Sequence, residues 1–74
     1  MKVLVLPSRT PGENGKLRLY LQHTPRVEPV VAGPRLKRGN PLQVEFRAYT
    51  PREREQAERD ARRLQSYIDW EHKP

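Results

Sequence analysis

Residues 16–22, Lys16-Leu17-Arg18-Leu19-Tyr20-Leu21-Gln22, alternate without a break. Leu17, Leu19 and Leu21 fall on one side, and Lys16, Arg18, Tyr20 and Gln22 on the other. Residues 42–49 repeat the pattern, with Leu42, Val44, Phe46 and Ala48 inward and Gln43, Glu45, Arg47 and Tyr49 outward. A period of two sustained over this length predicts half-buried strands of an antiparallel sheet. Two shorter strands are expected beside them. Residues 2–6 are apolar on both faces once past Lys2, as in a short strand covered on both sides or paired centrally. Residues 27–32 carry Pro29, which cannot donate to a ladder and assigns that strand to an edge or a bulge.

After Thr50 the period changes. Thr50-Pro51-Arg52-Glu53 places threonine at a helix N-cap, proline at the first helical position and glutamate three residues after the cap, the capping-box pattern. The apolar residues that follow, Ala57, Ala61, Leu64 and Ile68, fall within a sector of about 60° at 100° per residue. No Pro or Gly interrupts residues 52–73, so a helix is predicted over 51–70. Glu55 with Arg59 and Glu58 with Arg62 form i,i+4 pairs on its polar side. The connections hold most of the prolines. The loop of residues 7–15 ends in the turn pair Asn14-Gly15, and residues 33–41 read Gly-Pro-Arg-Leu-Lys-Arg-Gly-Asn-Pro. The elements together predict an α+β fold: a small antiparallel sheet of three to four strands with one long C-terminal helix packed on one face. A chain of 74 residues has room for one domain with one thin core.

Charge changes the picture from fold to function. Residues 1–48 hold nine basic and three acidic side chains (9 − 3 = +6), whereas residues 49–74 hold six of each, so the whole net charge of +6 belongs to the first part. A basic excess confined to one part of a small protein is the electrostatic footprint of a polyanion partner. Three cations, Arg35, Lys37 and Arg38, cluster in the 33–41 turn, where they can straddle a phosphate backbone. The predicted outward sheet face adds Lys16, Arg18, Tyr20, Arg47 and Tyr49, a mixture suited to phosphates, base edges and base faces. The bland alternative is a solvated face with cross-strand pairs such as Arg18 with Glu45. Because the helix region is balanced, its arginines are expected to contribute little to such binding. Trp70 lies about 140° from the apolar stripe at helical spacing. That makes it a candidate partner-contact anchor, unless it folds back over the end of the sheet.

Catalytic chemistry finds no constellation. His23 and His72 are far apart in sequence, and the acids Glu53, Glu55, Glu58 and Asp60 are interleaved with arginines, as on a salt-bridged solvated face. No Gly-rich phosphate loop, His-x-x-x-His or Gly-x-Ser-x-Gly occurs. With no cysteine, disulfides and cysteine-based zinc sites are excluded. No cofactor is implied. The opening apolar run Val3-Leu4-Val5-Leu6 is shorter than the roughly 7–15 residues of a signal peptide or the ~20 of a membrane span, so a soluble, cytoplasmic protein without a membrane partner is expected.

Strands followed by one helix with a Thr50-Pro51-x-Glu53 start, over residues 16–70, resemble in topology the arm-type DNA-binding domains at the N-terminus of tyrosine recombinases. Four strands, two of them proline-broken, depart from the simple three-stranded form of that family. The resemblance implies a sheet that docks in the major groove. The expectation is therefore a non-enzymatic nucleic-acid-binding module, DNA ahead of RNA, acting through the uncovered sheet face and the basic turn. A small protein-binding regulator docking by its helix or a sheet edge is the second reading, and a ribonucleoprotein component the third.

Overall fold

The computed structural model describes residues 1–33, 44 and 46–71. The predicted turn cations Arg35, Lys37 and Arg38, together with Leu42, Gln43, Glu45 and His72, lie outside the described residues. The fold is a three-stranded antiparallel sheet in the order β1-β2-β3 with a C-terminal helix against one face. β1 is Lys2–Pro7, β2 is Leu17–Gln22, β3 is Val30–Val31, and α1 is Arg54–Glu71, entered through a 3-10 turn at Pro51–Glu53.

β1 and β2 pair from Lys2 opposite Gln22 to Pro7 opposite Leu17. The ladder continues one step into the loop, where the Ser8 N–H donates to the Lys16 carbonyl at 2.8 Å. Two tight turns then reverse the chain, closed by Glu13 N–H to Thr10 and Lys16 N–H to Glu13. Gly12 (φ 88°) and Gly15 (φ 81°) supply the left-handed backbone these turns require. Asn14-Gly15 is thus the turn the sequence predicts.

β2 is the central strand, and two separated segments share its second edge. Val30 and Val31 pair with Leu21 and Tyr20, and the Ala32 N–H donates to the Leu19 carbonyl at 2.9 Å. The second segment is Tyr49, whose N–H and carbonyl both bond Leu17 at 2.7 Å. The strand predicted over 27–32 is therefore shorter: residues 24–27 form a turn, with Val27 N–H donating to Thr24 at 3.1 Å, and Pro29 stands just before the pairing begins.

The strand predicted over 42–49 is corrected. Among its described residues only Tyr49 pairs, as an isolated bridge. Phe46 has φ 54°, in the left-handed region that no ladder accommodates, and its carbonyl turns to accept from Arg18 Nη1 at 3.3 Å. That twist breaks the alternation, so Tyr49 is not outward. It lies opposite Leu17, and residues opposite one another in a ladder share a face. Tyr49 therefore enters the core with 0% exposure.

The helix stripe is as predicted: Ala57, Ala61, Leu64 and Ile68 are buried, joined by Asp60. They pack on Leu19, Ala32, Val44 and Tyr49, with Val3, Val5, Leu17, Leu21 and Phe46 partly buried around them. Alanines at 57 and 61 let the backbone of α1 approach the sheet. Gln65 anchors the helix to the free edge of β1. Its Oε1 accepts the Val3 N–H at 2.8 Å and its Nε2 donates to the Met1 carbonyl at 3.0 Å, so one amide imitates a neighbouring strand. At the helix start, Thr50 is extended (φ −74°, ψ 161°). The Glu53 carboxylate reaches back to the Thr50 N–H at 3.0 Å and to its hydroxyl at 3.2 Å.

The opposite sheet face is also covered, which corrects the outward assignment of Tyr20. Tyr20 stands on the central strand between Leu4 and Val31, and its hydroxyl accepts the Arg9 N–H at 2.9 Å. Residues 8–16 thereby fold over it, and 4% of Tyr20 remains exposed. Leu4 and Leu6 complete this thin second layer, each half-buried.

Leu19→Ala and Tyr20→Ala are both expected to destabilise strongly, by about 2–5 and 3–5 kcal/mol respectively. Denaturant melts check this; a Tyr20 variant that melts with the parent would mean that residues 8–16 do not cover the sheet. Tyr49→Phe deletes only the buried hydroxyl and is expected to cost about 1–3 kcal/mol by the same measurement.

Candidate nucleic-acid interface

The five described residues of the predicted interface divide into three groups. Tyr20 and Tyr49 are removed from solvent by the two layers. Arg18 and Arg47 are held in ionic forks. Lys16 alone among the five is exposed at the start of β2 and makes no ion pair among the described residues.

Arg18 points from β2 toward the turn that precedes it. Its Nε and Nη2 each donate to one Glu13 carboxylate oxygen at 2.7 Å, and Glu13 also accepts the Ser8 hydroxyl at 2.6 Å. Both side chains are largely shielded, at 22% and 18% exposure. The Arg18 and Ser8 hydrogen bonds favour the charged carboxylate and hold Glu13 down at about 2. Arg18 thus takes Glu13 from its own turn rather than a cross-strand partner.

Arg47 repeats the device at the helix start. Nη1 and Nη2 meet the two Glu53 oxygens at 3.1 and 2.8 Å, and the guanidinium lies 4.4 Å over the Tyr49 ring. Hydrogen bonds from Arg47 and then Thr50 hold Glu53 at about 2. Such planar, bidentate pairs are the strong form of the ion pair. Arg18 and Arg47 therefore act as clamps on a turn and a helix entry.

The remaining described cations of the first part, Lys2, Arg9 and Arg26, are exposed. Arg9 bonds Glu28 at 3.0 Å. Lys2 and Arg26 are exposed near the end of the sheet where β1 begins and β2 ends, far along β2 from Lys16, and make no ion pair among the described residues.

The helix tells a different story from its balanced composition. Each of its six acids has a partner: Glu53 with Arg47, Glu55 with Arg59 at 4.0 Å, Glu58 with Arg54 at 3.7 Å, Asp60 with Tyr49 and Gln56, Asp69 with Gln65, and Glu71 beside the Tyr67 hydroxyl. Two of them, Glu53 and Asp60, turn toward the sheet side. Arg52, Arg62 and Arg63 are left exposed without an ion pair among the described residues. Trp70 is 68% exposed and tilts against Tyr67 with ring centroids 6.1 Å apart. It does not fold back over the sheet.

An apolar groove of about 630 Å³ opens between β3 and the C-terminal half of α1, lined among others by Val30, Val31, Phe46, Leu64 and Ile68. Among the described residues no cluster of His, Asp or Glu could hold a metal ion, and no helix is long and apolar enough to cross a membrane. No protein-family model, curated protein or solved structure matches the chain.

The two clamps set a pH dependence. Glu13 and Glu53 sit at about 2 in the fold against a usual 4.5. Their contribution is thus complete above about pH 5 and is lost as pH falls toward 2. Glu13→Gln/Glu53→Gln is expected to lower stability at pH 7 and to flatten the loss between pH 5 and 2. Acid titrations of melting temperature check it; parallel curves for parent and double variant would show that the forks do not form in solution.

Proposed function

We propose that the chain is a non-enzymatic nucleic-acid-binding module, with DNA ahead of RNA. The carrying observation is the placement of acids in residues 1–48. Glu13 is locked on Arg18 and Glu28 on Arg9, while Arg47 takes its acid from the helix. Against Lys2, Lys16, Arg26, Arg35, Lys37 and Arg38, the sequence of residues 1–48 then counts one further acid, Glu45. Such an excess attracts phosphates and releases their condensed counterions. Lys16 and the 33–41 cations are the contact residues this reading retains. Tyr20 and Tyr49 are not contacts in it, being buried, and Arg18 and Arg47 are supports.

The second reading, a protein-binding regulator, is favoured by one specific feature. Val30 is 60% exposed on the rim of the groove, next to exposed Val31 and Met1, and apolar side chains in such a cluster suit a protein partner.

Replacing Arg35, Lys37 and Arg38 together with Gln separates the two. The parent is expected to bind DNA or RNA with an affinity that falls steeply with salt. The triple variant should bind more weakly with a flatter slope, by roughly one unit per lost phosphate contact, at an unchanged melting temperature. A parent that binds neither nucleic acid at low salt would end this reading and leave the protein partner.

A further inference from the structure

We infer that the solvent ridge of α1, formed by Arg59, Arg63, Ser66 and Trp70, is a binding surface for single-stranded nucleic acid. The inference rests on the nucleic-acid reading above and assigns it a site and a strand class. Four facts carry it. Residues 59, 63, 66 and 70 follow the i, i+4, i+7, i+11 spacing of one helix face, and all four are exposed. This face lies opposite the buried stripe of Ala57, Ala61, Leu64 and Ile68. Most of the acids are displaced from it: Glu53 and Asp60 are engaged with Arg47 and Tyr49, Glu58 and Asp69 fall on the flank that also holds Arg62, and Glu55 alone borders the ridge, 4.0 Å from Arg59. Arg63 has no exposed acid three or four residues away, since its only acidic neighbour at that spacing is the buried Asp60.

The fourth fact is Trp70. A large aromatic ring on a solvated helix face, held at a tilt against Tyr67, has no role in the core. Its exposed face can take a stacked base, which a strand offers only when the base is unpaired. Arg59 and Arg63 are separated by about 6 Å along the axis, and Arg63 and Trp70 by about 10 Å, from the 1.5 Å rise per residue. A strand running along the ridge would meet phosphate-binding guanidinium groups first and a stacking surface after them. Both contacts tolerate any sequence.

Trp70 is the sole tryptophan of the chain, so its fluorescence reports this surface alone. The experiment titrates a single-stranded oligothymidylate and a duplex of equal length into the full chain and into Trp70→Ala, Trp70→Phe, Arg59→Gln/Arg63→Gln and Arg62→Gln. Expected is quenching of the parent by the single strand, and weakening of about five- to a hundred-fold in Trp70→Ala with partial rescue in Trp70→Phe. The double arginine variant should lose about 0.7 from the salt slope per phosphate contact, and Arg62→Gln should bind as the parent does. Melting temperatures near the parent's confirm that these exposed substitutions leave the fold intact. Binding by the parent without quenching, or undiminished in the ridge variants, overturns the ridge while leaving the nucleic-acid function standing. No binding of either oligonucleotide at low salt overturns that function itself.

Discussion

Tyr49 ties the sheet to the helix, and most of the architecture depends on its two attachments. Through its backbone it bonds Leu17 in both directions, which places it on the second edge of β2. Through its hydroxyl it donates to the buried Asp60 carboxylate, whose other oxygen accepts from Gln56 at 3.0 Å. A buried carboxylate is tolerated only with such partners, and removing one leaves a charge without compensation. The bond therefore fixes the rotation of α1 about its axis as well as its distance. Once Asp60 faces Tyr49, Ala57, Ala61, Leu64 and Ile68 must face the sheet, and Arg59, Arg63 and Trp70 must face solvent.

The short path from edge to helix is fixed by the same group of residues. Phe46 turns the chain with a left-handed φ, Arg47 lies over the Tyr49 ring and grips Glu53, and Glu53 in turn holds Thr50. The two contacts made by Glu53 tie Arg47 and Thr50 of the approach to the first helical turn. A small domain buries proportionally little surface, and here polar forks at the turn and at the helix entry add order where the core is thin.

Elements governed by local patterns were legible in the sequence. The β2 alternation, the Asn14-Gly15 turn, the Thr50-to-Glu53 helix start and the helix stripe each depend on neighbours within a few residues. What sequence could not give was set by tertiary geometry. Residues 42–49 alternate as well as β2 does, yet one left-handed residue at Phe46 reverses the sense of Tyr49. Tyr20 alternates outward, yet a central strand with a loop folded across it buries both faces. The likeness to arm-type domains rested on topology, and the sheet docking it implied needs an open face, which the covered face around Tyr20 does not offer.

Electrostatics carried the same lesson to the site. Counting charge by segment identified the basic part but treated every cation alike. Arginines that find a carboxylate in fork geometry become structural, as Arg18 and Arg47 do, because two parallel hydrogen bonds hold more firmly than a diffuse attraction to solvent-separated phosphates. The cations available to a partner are those left over, and pairing decides them, not composition. Among the described residues of the first part that remainder lies at Lys16 and at the Lys2 and Arg26 end. In the helix, most acids are drawn to one flank and to the interior, which leaves a ridge where only Glu55 stands beside the arginines. The same carboxylates that complete the fold thus also determine where its unpaired positive charge lies.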